Sequence, residues 1–359
     1  LPVGKPRFPV HPFWQNRWGD VFARPMQGEM DMLNRRHALG LAVAGTLAAP
    51  ALLPTGARAQ AWRPTRPIRL VVPFAPGGSN DIVSRLIAEP ASQTLGQPIV
   101  IESRAGAGSV IGSEHVARSA PDGYTILINS AHATVPAIVE RMPYDPVNDF
   151  VGLAVAGFSP HALVVNPRFP AQNAREMVER LRANPGQYNI ATAGLGSGVH
   201  LAAELLRSTQ RLQAEVVHYR GGGPSVVALV AGEAQVGTPT MASSIGQIRG
   251  GGLRALCVLA ENRTPALPDV PSATEAGMTG LVHEEFFPIV APAATPPEIV
   301  SALAAAFQGA IRQNAARLTE MAGVTPRAGF ETPDQVKALM TEMVARYSAI
   351  LREAGVPKQ

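Results

Sequence analysis

Val72-Pro-Phe-Ala-Pro-Gly-Gly-Ser-Asn-Asp81 decides how the rest of the chain is read. An apolar run from Ile68 to Phe74 leads into two glycines, and a helical pattern opens at Ser79, Asn80 or Asp81. A strand that turns through glycine into a helix start points several backbone N–H groups into one open turn, which makes an anion cradle. Turns at the carboxyl ends of strands are also where open α/β sheets bind small ligands. Glycine in such a turn can equally serve backbone freedom alone, so the reading depends on whether the pattern recurs.

It recurs twice. Ala193-Gly-Leu-Gly-Ser-Gly-Val-His-Leu201 ends one expected strand and opens a helix, with Ser197 as N-cap or ligand donor and His200 one turn inside. Val217-His-Tyr-Arg-Gly-Gly-Gly-Pro224 repeats the arrangement: Pro224 suits a first helical turn, and Tyr219 offers a ring and a hydroxyl to a pocket. Short β-branched runs stand at Ile68–Phe74, Ile99–Glu102, Tyr124–Asn129, Ala162–Val165, Tyr188–Thr192, Glu215–Tyr219, Gln235–Thr238, Leu253–Leu259 and Phe287–Ala291. Their alternation with helical patterns predicts an α/β fold with parallel sheets. Pro90 is expected to kink or end the helix Asp81–Leu95. Leu163-Val-Val-Asn-Pro167 and Phe287-Pro-Ile-Val-Ala-Pro292 read as crossings between domains. They divide the chain into a first lobe, residues 60–165 plus 288–359, and a second, residues 166–287, with a ligand cleft between them.

The 359 residues carry a formal charge of +4, from 31 Lys and Arg against 27 Asp and Glu. Residues 1–59 hold the whole excess, seven basic residues against three acids, and the remainder has 24 of each. A neutral body gives no electrostatic case for nucleic acid. Asn34-Arg-Arg-His-Ala-Leu39, the apolar run Gly40 to Leu53 and Ala57-Arg-Ala59 read as an export signal over residues 30–59. Cleavage near Ala59 would start the mature protein at Gln60, in the periplasm. The arginine pair resembles a Tat signal, while the lack of Phe-Leu-Lys after it leaves Sec export open. Residues 1–29, rich in Pro, Arg and aromatics without periodicity, read either as sequence ahead of the true start or as a disordered segment. Cys257 is the one cysteine. It excludes an intramolecular disulfide and is expected to be a small buried residue.

Catalytic and cofactor chemistry finds little foothold. Gly106-Ala-Gly-Ser-Val-Ile-Gly112 is spaced too widely for a dinucleotide turn, and Glu102-Ser-Arg-Ala separates it from its strand. HExxH, paired Cys/His spacings, Walker sequences and DxDxDG loops are all missing, so neither a metal nor a cofactor is expected. Leu195 stands where a nucleophile elbow requires glycine. Glycine-rich helix starts around a cleft, without a nucleophile, describe a receptor better than an enzyme. Two alternatives stand beside it: an exported hydrolase using Ser197 and His200, and a solute sensor feeding a signalling partner.

The ordered series Pro73-Phe-Ala-Pro-Gly-Gly-Ser-Asn-Asp81, Gly106-Ala-Gly-Ser-Val-Ile-Gly112, Ala120-Pro-Asp-Gly-Tyr-Thr125, Pro143-Tyr-Asp-Pro-Val-Asn-Asp-Phe150 and Leu163-Val-Val-Asn-Pro167 resembles the Bug family of solute receptors. Ala193-Gly-Leu-Gly-Ser197, Tyr219-Arg-Gly-Gly-Gly-Pro224, Leu267-Pro-Asp-Val-Pro271, Glu275-Ala-Gly277 and Ala291-Pro-Ala-Ala-Thr-Pro296 continue the resemblance over residues 66–359. It implies a type II periplasmic binding protein fold whose two α/β lobes close on a small carboxylate or related organic acid. It further implies a monomer that delivers its ligand to the membrane permease of a tripartite tricarboxylate transporter. By matching position, the pocket is expected to comprise Phe74, Gly78, Ser79, Asn80, Ser130, His132, Gly196, Ser197, His200, Tyr219 and Thr240. The chain departs from the family at Thr240, where Asp is frequent, and at Phe286-Phe287, near a position commonly held by Trp.

Overall fold

The structure is a computed structural model that describes residues 62–278, 280–353, 355–356 and 358. The expected export signal and the segment before it lie outside the described residues. In chain order the elements begin β1 (Ile68–Val72), α1 (Ser79–Leu95), β2 (Ile99–Ser103), α2 (Val110–Ala117), β3 (Thr125–Ile128), α3 (Val135–Ile138) and β4 (Phe150–Pro160). They continue with β5 (Ala162–Val165), α4 (Ala174–Ala183), β6 (Asn189–Thr192), α5 (Gly198–Gln210), β7 (Glu215–His218), α6 (Gly222–Ala231), β8 (Val236–Gly237), α7 (Met241–Arg249) and β9 (Arg254–Val258). The last are β10 (Glu284–Pro292), α8 (Pro297–Gln313), α9 (Ala315–Ala322) and α10 (Pro333–Glu353).

The strands form two five-stranded sheets, ordered β2-β1-β3-β10-β4 and β7-β6-β8-β5-β9. Each is built on the same plan. In the first, β1 pairs in parallel with β2 and β3, while β10 is antiparallel to β3 and β4. In the second, β6 pairs in parallel with β7 and β8, while β5 is antiparallel to β8 and β9. The parallel triplets need helical crossovers, which is why apolar strands alternate with α1, α2, α5 and α6. One buried cluster, including Leu127 and Val155 of the first sheet and Leu163 and Val236 of the second, runs continuously from lobe to lobe.

Pro90 neither ends α1 nor stops it short of Leu95. A proline inside a helix leaves the carbonyl four residues earlier without its usual donor. Here that carbonyl, on Leu86, accepts a hydrogen bond from Asn314 Nδ2 at 3.1 Å, so a side chain from the end of α8 compensates the loss.

Strand β4 was not expected. Val151-Gly-Leu-Ala-Val-Ala-Gly157 lacks the β-branched alternation of a half-exposed strand, because most of β4 is buried. It is nevertheless the longest strand among the described residues and pairs with β10 along its length. Its presence moves the passages between lobes. Ala162–Val165, expected to close the first lobe, belongs to the second sheet, and Glu284 to Phe287, expected in the second lobe, belong to the first sheet. The chain crosses at His161 and returns between Val258 and Glu284. These connections are tied together: His161 N donates to His283 O at 3.3 Å, Leu259 N to His161 O at 2.8 Å, and His283 N to Leu259 O at 2.9 Å. Helix α10 braces the junction, where Tyr347 Oη donates to Glu284 O at 2.9 Å. Cys257 is buried in β9, and burial pushes its thiol up to about 12.

Candidate functional site

The strand ends of both sheets carry glycine-rich turns that meet. After β1, the N-cap of α1 is Gly78, in extended backbone with no side-chain cap. The amides of Ser79 and Asn80 therefore have no capping side chain, and a helix start of this kind favours negative charge. Asp81 lies in the first turn but acts outside it, accepting from Gly77 N at 3.0 Å and pairing with Arg85. Asn80 and Ser130, the latter just beyond β3, hold one another: Asn80 Nδ2 donates to Ser130 Oγ and Ser130 N to Asn80 Oδ1, both at 2.9 Å.

The corresponding turn of the second lobe is finished differently. Ser197 caps α5, accepting from His200 N at 3.1 Å and donating to Gly194 O at 2.7 Å. The N-cap of α6, Gly221, has no side-chain cap, and Thr240 stands at the N-cap of α7. The lobes touch through these turns. Thr134 Oγ1 donates to Gly196 O at 2.6 Å, and Ala75 N to Arg220 O at 3.2 Å. Gly108 of the first lobe lies so close to the second that a Cβ there would overlap the Leu195 carbonyl oxygen.

A narrow inner cavity lies between the lobes, lined by Phe74, Gly78, Ser79, Asn80, Ser130, Ala193, Ser197, Val199, Gly222, Thr240 and Glu285. Its free volume is about 10 Å³, room for about one water. Phe74 and Ala193 also line an adjoining cleft of about 460 Å³, with the Gly106–Ser109 turn, Tyr219 and Arg220 on its other walls.

Of the expected pocket set, Phe74, Gly78, Ser79, Asn80, Ser130, Ser197 and Thr240 line the inner cavity, and Tyr219 lines the adjoining cleft. Burial raises the Tyr219 phenol. His132, Gly196 and His200 line neither of these spaces. His132 is buried with Nε2 bonded to the Pro146 carbonyl and its ring edge-on to Phe150, and burial pushes it down to about 4. Gly196 supplies the carbonyl that Thr134 grips. His200 accepts from Gly196 N at 3.3 Å through Nδ1, and its Nε2 lies 3.6 Å from Glu204 Oε1. Both of its ring nitrogens are therefore turned to the loop and to its own helix rather than to the Ser197 hydroxyl.

Sequence reasoning missed Ala193, Val199, Gly222 and, above all, Glu285. Glu285 sits on β10 and is buried, with Oε2 lacking any hydrogen-bond partner. Burial pushes its carboxyl up to about 7, against the influence of the neighbouring Ser130 hydroxyl and Gly198 amide, which favours the ionised form. The nearest basic side chain is His161, whose Nε2 lies 3.9 Å from Glu285 Oε1. Burial pushes that histidine down to about 4, so it is neutral near pH 7. Glu284 and Glu285 are adjacent acids, one bonded to Arg327 near the surface and one inside. Their sequence carries no signal that separates them. Among the described residues no cluster of His, Cys, Asp and Glu could hold a metal ion.

The sequence profile of the tripartite tricarboxylate transporter family receptor matches residues 83–356. The solved structure of the periplasmic binding protein BugD is similar at 29% identity, with a TM-score of 0.78 over 82% of this chain and 100% of its own. MatC (Rpa3494) from Rhodopseudomonas palustris, with bound malate, is 32% identical, with a TM-score of 0.76 over 80% of this chain and 99% of its own. Rpa4515 of R. palustris, with adipate, is 30% identical, with a TM-score of 0.77 over 82% and 99%. Two lobes of one plan, glycine-rich turns facing each other across a cleft, and this span of similarity lead to one assignment: the chain belongs to the tripartite tricarboxylate transporter family of Bug-type solute-binding receptors and has the type II periplasmic binding protein fold.

Proposed function

We propose that the protein is an extracytoplasmic receptor that captures a small carboxylate between its lobes and delivers it to the membrane permease of a tripartite tricarboxylate transporter. The observation that carries this reading is the convergence of the starts of α1, α5, α6 and α7 on one cavity whose described lining contains no lysine or arginine. Helix starts offer N–H groups and partial positive charge, which suit a carboxylate without a buried cation. The malate and adipate held by the two R. palustris receptors support the same ligand class. Periplasmic placement and removal of residues 30–59 accord with the family and with the export signal read from the sequence.

A binding role is favoured over hydrolysis by the Ser197 hydroxyl, which donates to Gly194 O while His200 reaches it only through its backbone N–H. A general base must lie within hydrogen-bond reach of the proton it takes, and the His200 ring is engaged elsewhere. A thermal-shift screen of mono-, di- and tricarboxylates, including malate and adipate, tests the reading. A ligand at about 100 times its Kd should stabilise the folded protein by about 2.7 kcal/mol. Flat results across the acids, with a hit among sugars or metal ions, would sink it. Release of altered product from the bound acid would replace the receptor with an enzyme.

A further inference from the structure

Glu285 presents a difficulty for a carboxylate receptor. Its carboxyl lines the same inner cavity as the Ser79 and Asn80 turn, and it lies so close to the start of α5 that a Cβ at Gly198 would overlap it. A ligand carboxylate and an ionised glutamate cannot share one poorly solvated cavity without large mutual repulsion, so one of the two must carry a proton.

The groups facing Glu285 supply no positive charge to relieve that repulsion. From the crossing at His161 comes an imidazole that burial keeps neutral. His283, its tilted ring neighbour and two residues before Glu285 on the return path, is lowered well below the usual histidine range by burial and by His161. From α10 comes Tyr347, whose phenol burial raises. Arg346 of the same helix acts on His283 and Tyr347, and neighbouring Glu284 is paired with Arg327. Ser130 and the Gly198 amide, which lie beside the carboxyl, are neutral. An ammonium group on the ligand could answer Glu285 instead, but the helix starts around the cavity carry partial positive charge and disfavour a cation there. The remaining feature is Oε2, buried and without a partner.

We propose that Glu285 is a specificity-determining residue of this receptor: in the carboxylic-acid form it donates its Oε2 proton in a hydrogen bond to a ligand carboxylate, so that ligand capture takes up a proton from solvent. The inference rests on the carboxylate reading of the preceding subsection. With its carboxyl raised to about 7 in the ligand-free protein, Glu285 is already protonated below that pH and must be protonated at binding above it. Affinity is therefore constant in mild acid and falls as pH rises through about 7. An acid whose own carboxyl forms the hydrogen bond is selected over one that presents an ammonium group at that point.

Calorimetric titration of the mature protein with malate, adipate and further mono- and dicarboxylates tests this between about pH 5.5 and 8.5, in paired buffers of different ionisation enthalpy. The wild type should lose affinity about tenfold per pH unit above about 7, with close to one proton taken up per ligand at the alkaline end. Glu285→Gln keeps a neutral donor of the same shape, so it should bind with one affinity across the range and take up no proton. Proton uptake by the wild type is a readout that does not depend on the variant's folding. A bound acid whose Kd is the same at both ends of the range, without proton uptake, overturns the proposal while leaving the receptor reading intact. Aspartate bound more than about tenfold tighter than malate at about pH 8.5, again without proton uptake, makes Glu285 an ammonium counter-ion and also overturns it. Failure of every acid to bind at any pH, in wild type and variant alike, overturns the carboxylate reading and this inference together.

Discussion

The turn that opens α1 and the turn that opens α5 hold equivalent places, each following the strand that lies between its two parallel neighbours. Their finish differs. The first has a glycine N-cap and no side-chain cap, whereas the second is capped by Ser197 and faced by the carboxyl of Glu285. The start of α1 thus presents amides without a capping side chain, as does the start of α6 in the second lobe, whereas the start of α5 has committed the His200 amide to Ser197. Two turns of one plan are thus unlike in charge: the α1 start is open, while the α5 start is met by a carboxyl that β10 of the first sheet sets against it.

The most damaging way to break this pairing is to keep the walls apart. Gly108→Ala should reduce affinity for a bound carboxylate more than about 100-fold, because its Cβ would collide with the Leu195 carbonyl only when the lobes meet. The ligand-free protein should lose more than about 1–2 kcal/mol, the cost of alanine in left-handed backbone, because the Leu195 carbonyl already lies against this position. Calorimetry and thermal melts on the same sample separate the two effects. Binding at wild-type strength would mean that the lobes need not meet there.

A second effect, read through pH, probes the carboxyl that β10 sets against the α5 turn. The folded-state value of Glu285 lies above the ordinary carboxyl value of 4.5 and reaches about 7. The folded protein therefore holds this proton more tightly than the unfolded chain does. The resulting stability is fully present below about pH 4.5 and is lost as pH rises through about 7. Between those limits the wild type should lose up to about 3 kcal/mol relative to Glu285→Gln, measured by denaturant unfolding in the absence of ligand. His132 and His161, each pushed down to about 4, act in the opposite sense, since their contribution is lost as pH falls from the ordinary histidine range toward about 4. They are common to both proteins and cancel in the difference. Parallel stability profiles would show that Glu285 titrates normally.

The smallest effect compares the caps directly. Ser197→Ala removes the acceptor of the His200 amide and should cost about 1 kcal/mol, within the range of about 0.5–2 for a lost cap. Gly78→Ala removes no side-chain bond and should cost less in the ligand-free protein, provided its contact with Gly222 can relax by a few tenths of an ångström. Chemical denaturation of both variants ranks them, and an equal loss would remove the proposed asymmetry.

What could be read from the sequence was local. Glycine-rich helix starts after Ile68–Val72 and Asn189–Thr192 announced themselves by residue type, because the backbone geometry they serve is set within a few positions. β4 could not be read in this way. Its glycines and alanines serve neighbours far along the chain: Gly152 lies against Val336 and Gly157 against Thr325. The same missing strand displaced the lobe boundaries, since Ala162–Val165 was assigned without its true neighbour β9. In the site, His200 sits one turn from Ser197 as spacing implies, but whether its ring faces a ligand or its own loop depends on Gly196 and Glu204. Glu285 was hidden for a related reason. A strand expected to begin at Phe287 left it in a loop, where an acid calls for no explanation.

The place of β10 between β3 and β4 bears on the order in which the chain matures. All five strands of the second sheet come from one uninterrupted stretch, residues 162–258, so that lobe can complete itself as soon as the stretch is available. The first sheet cannot. Its gap is filled only by residues 284–292, after the whole second lobe has intervened. Loop-closure entropy rises only slowly with the length of the inserted segment, so the equilibrium cost of this interruption is modest. The kinetic cost is larger, because non-local strand pairing is slow and a waiting sheet exposes unpaired edges. Until β10 arrives, β3 and β4 each lack a partner on the side it will fill, and that gap is where a nascent molecule is most open to pairing with another copy of itself.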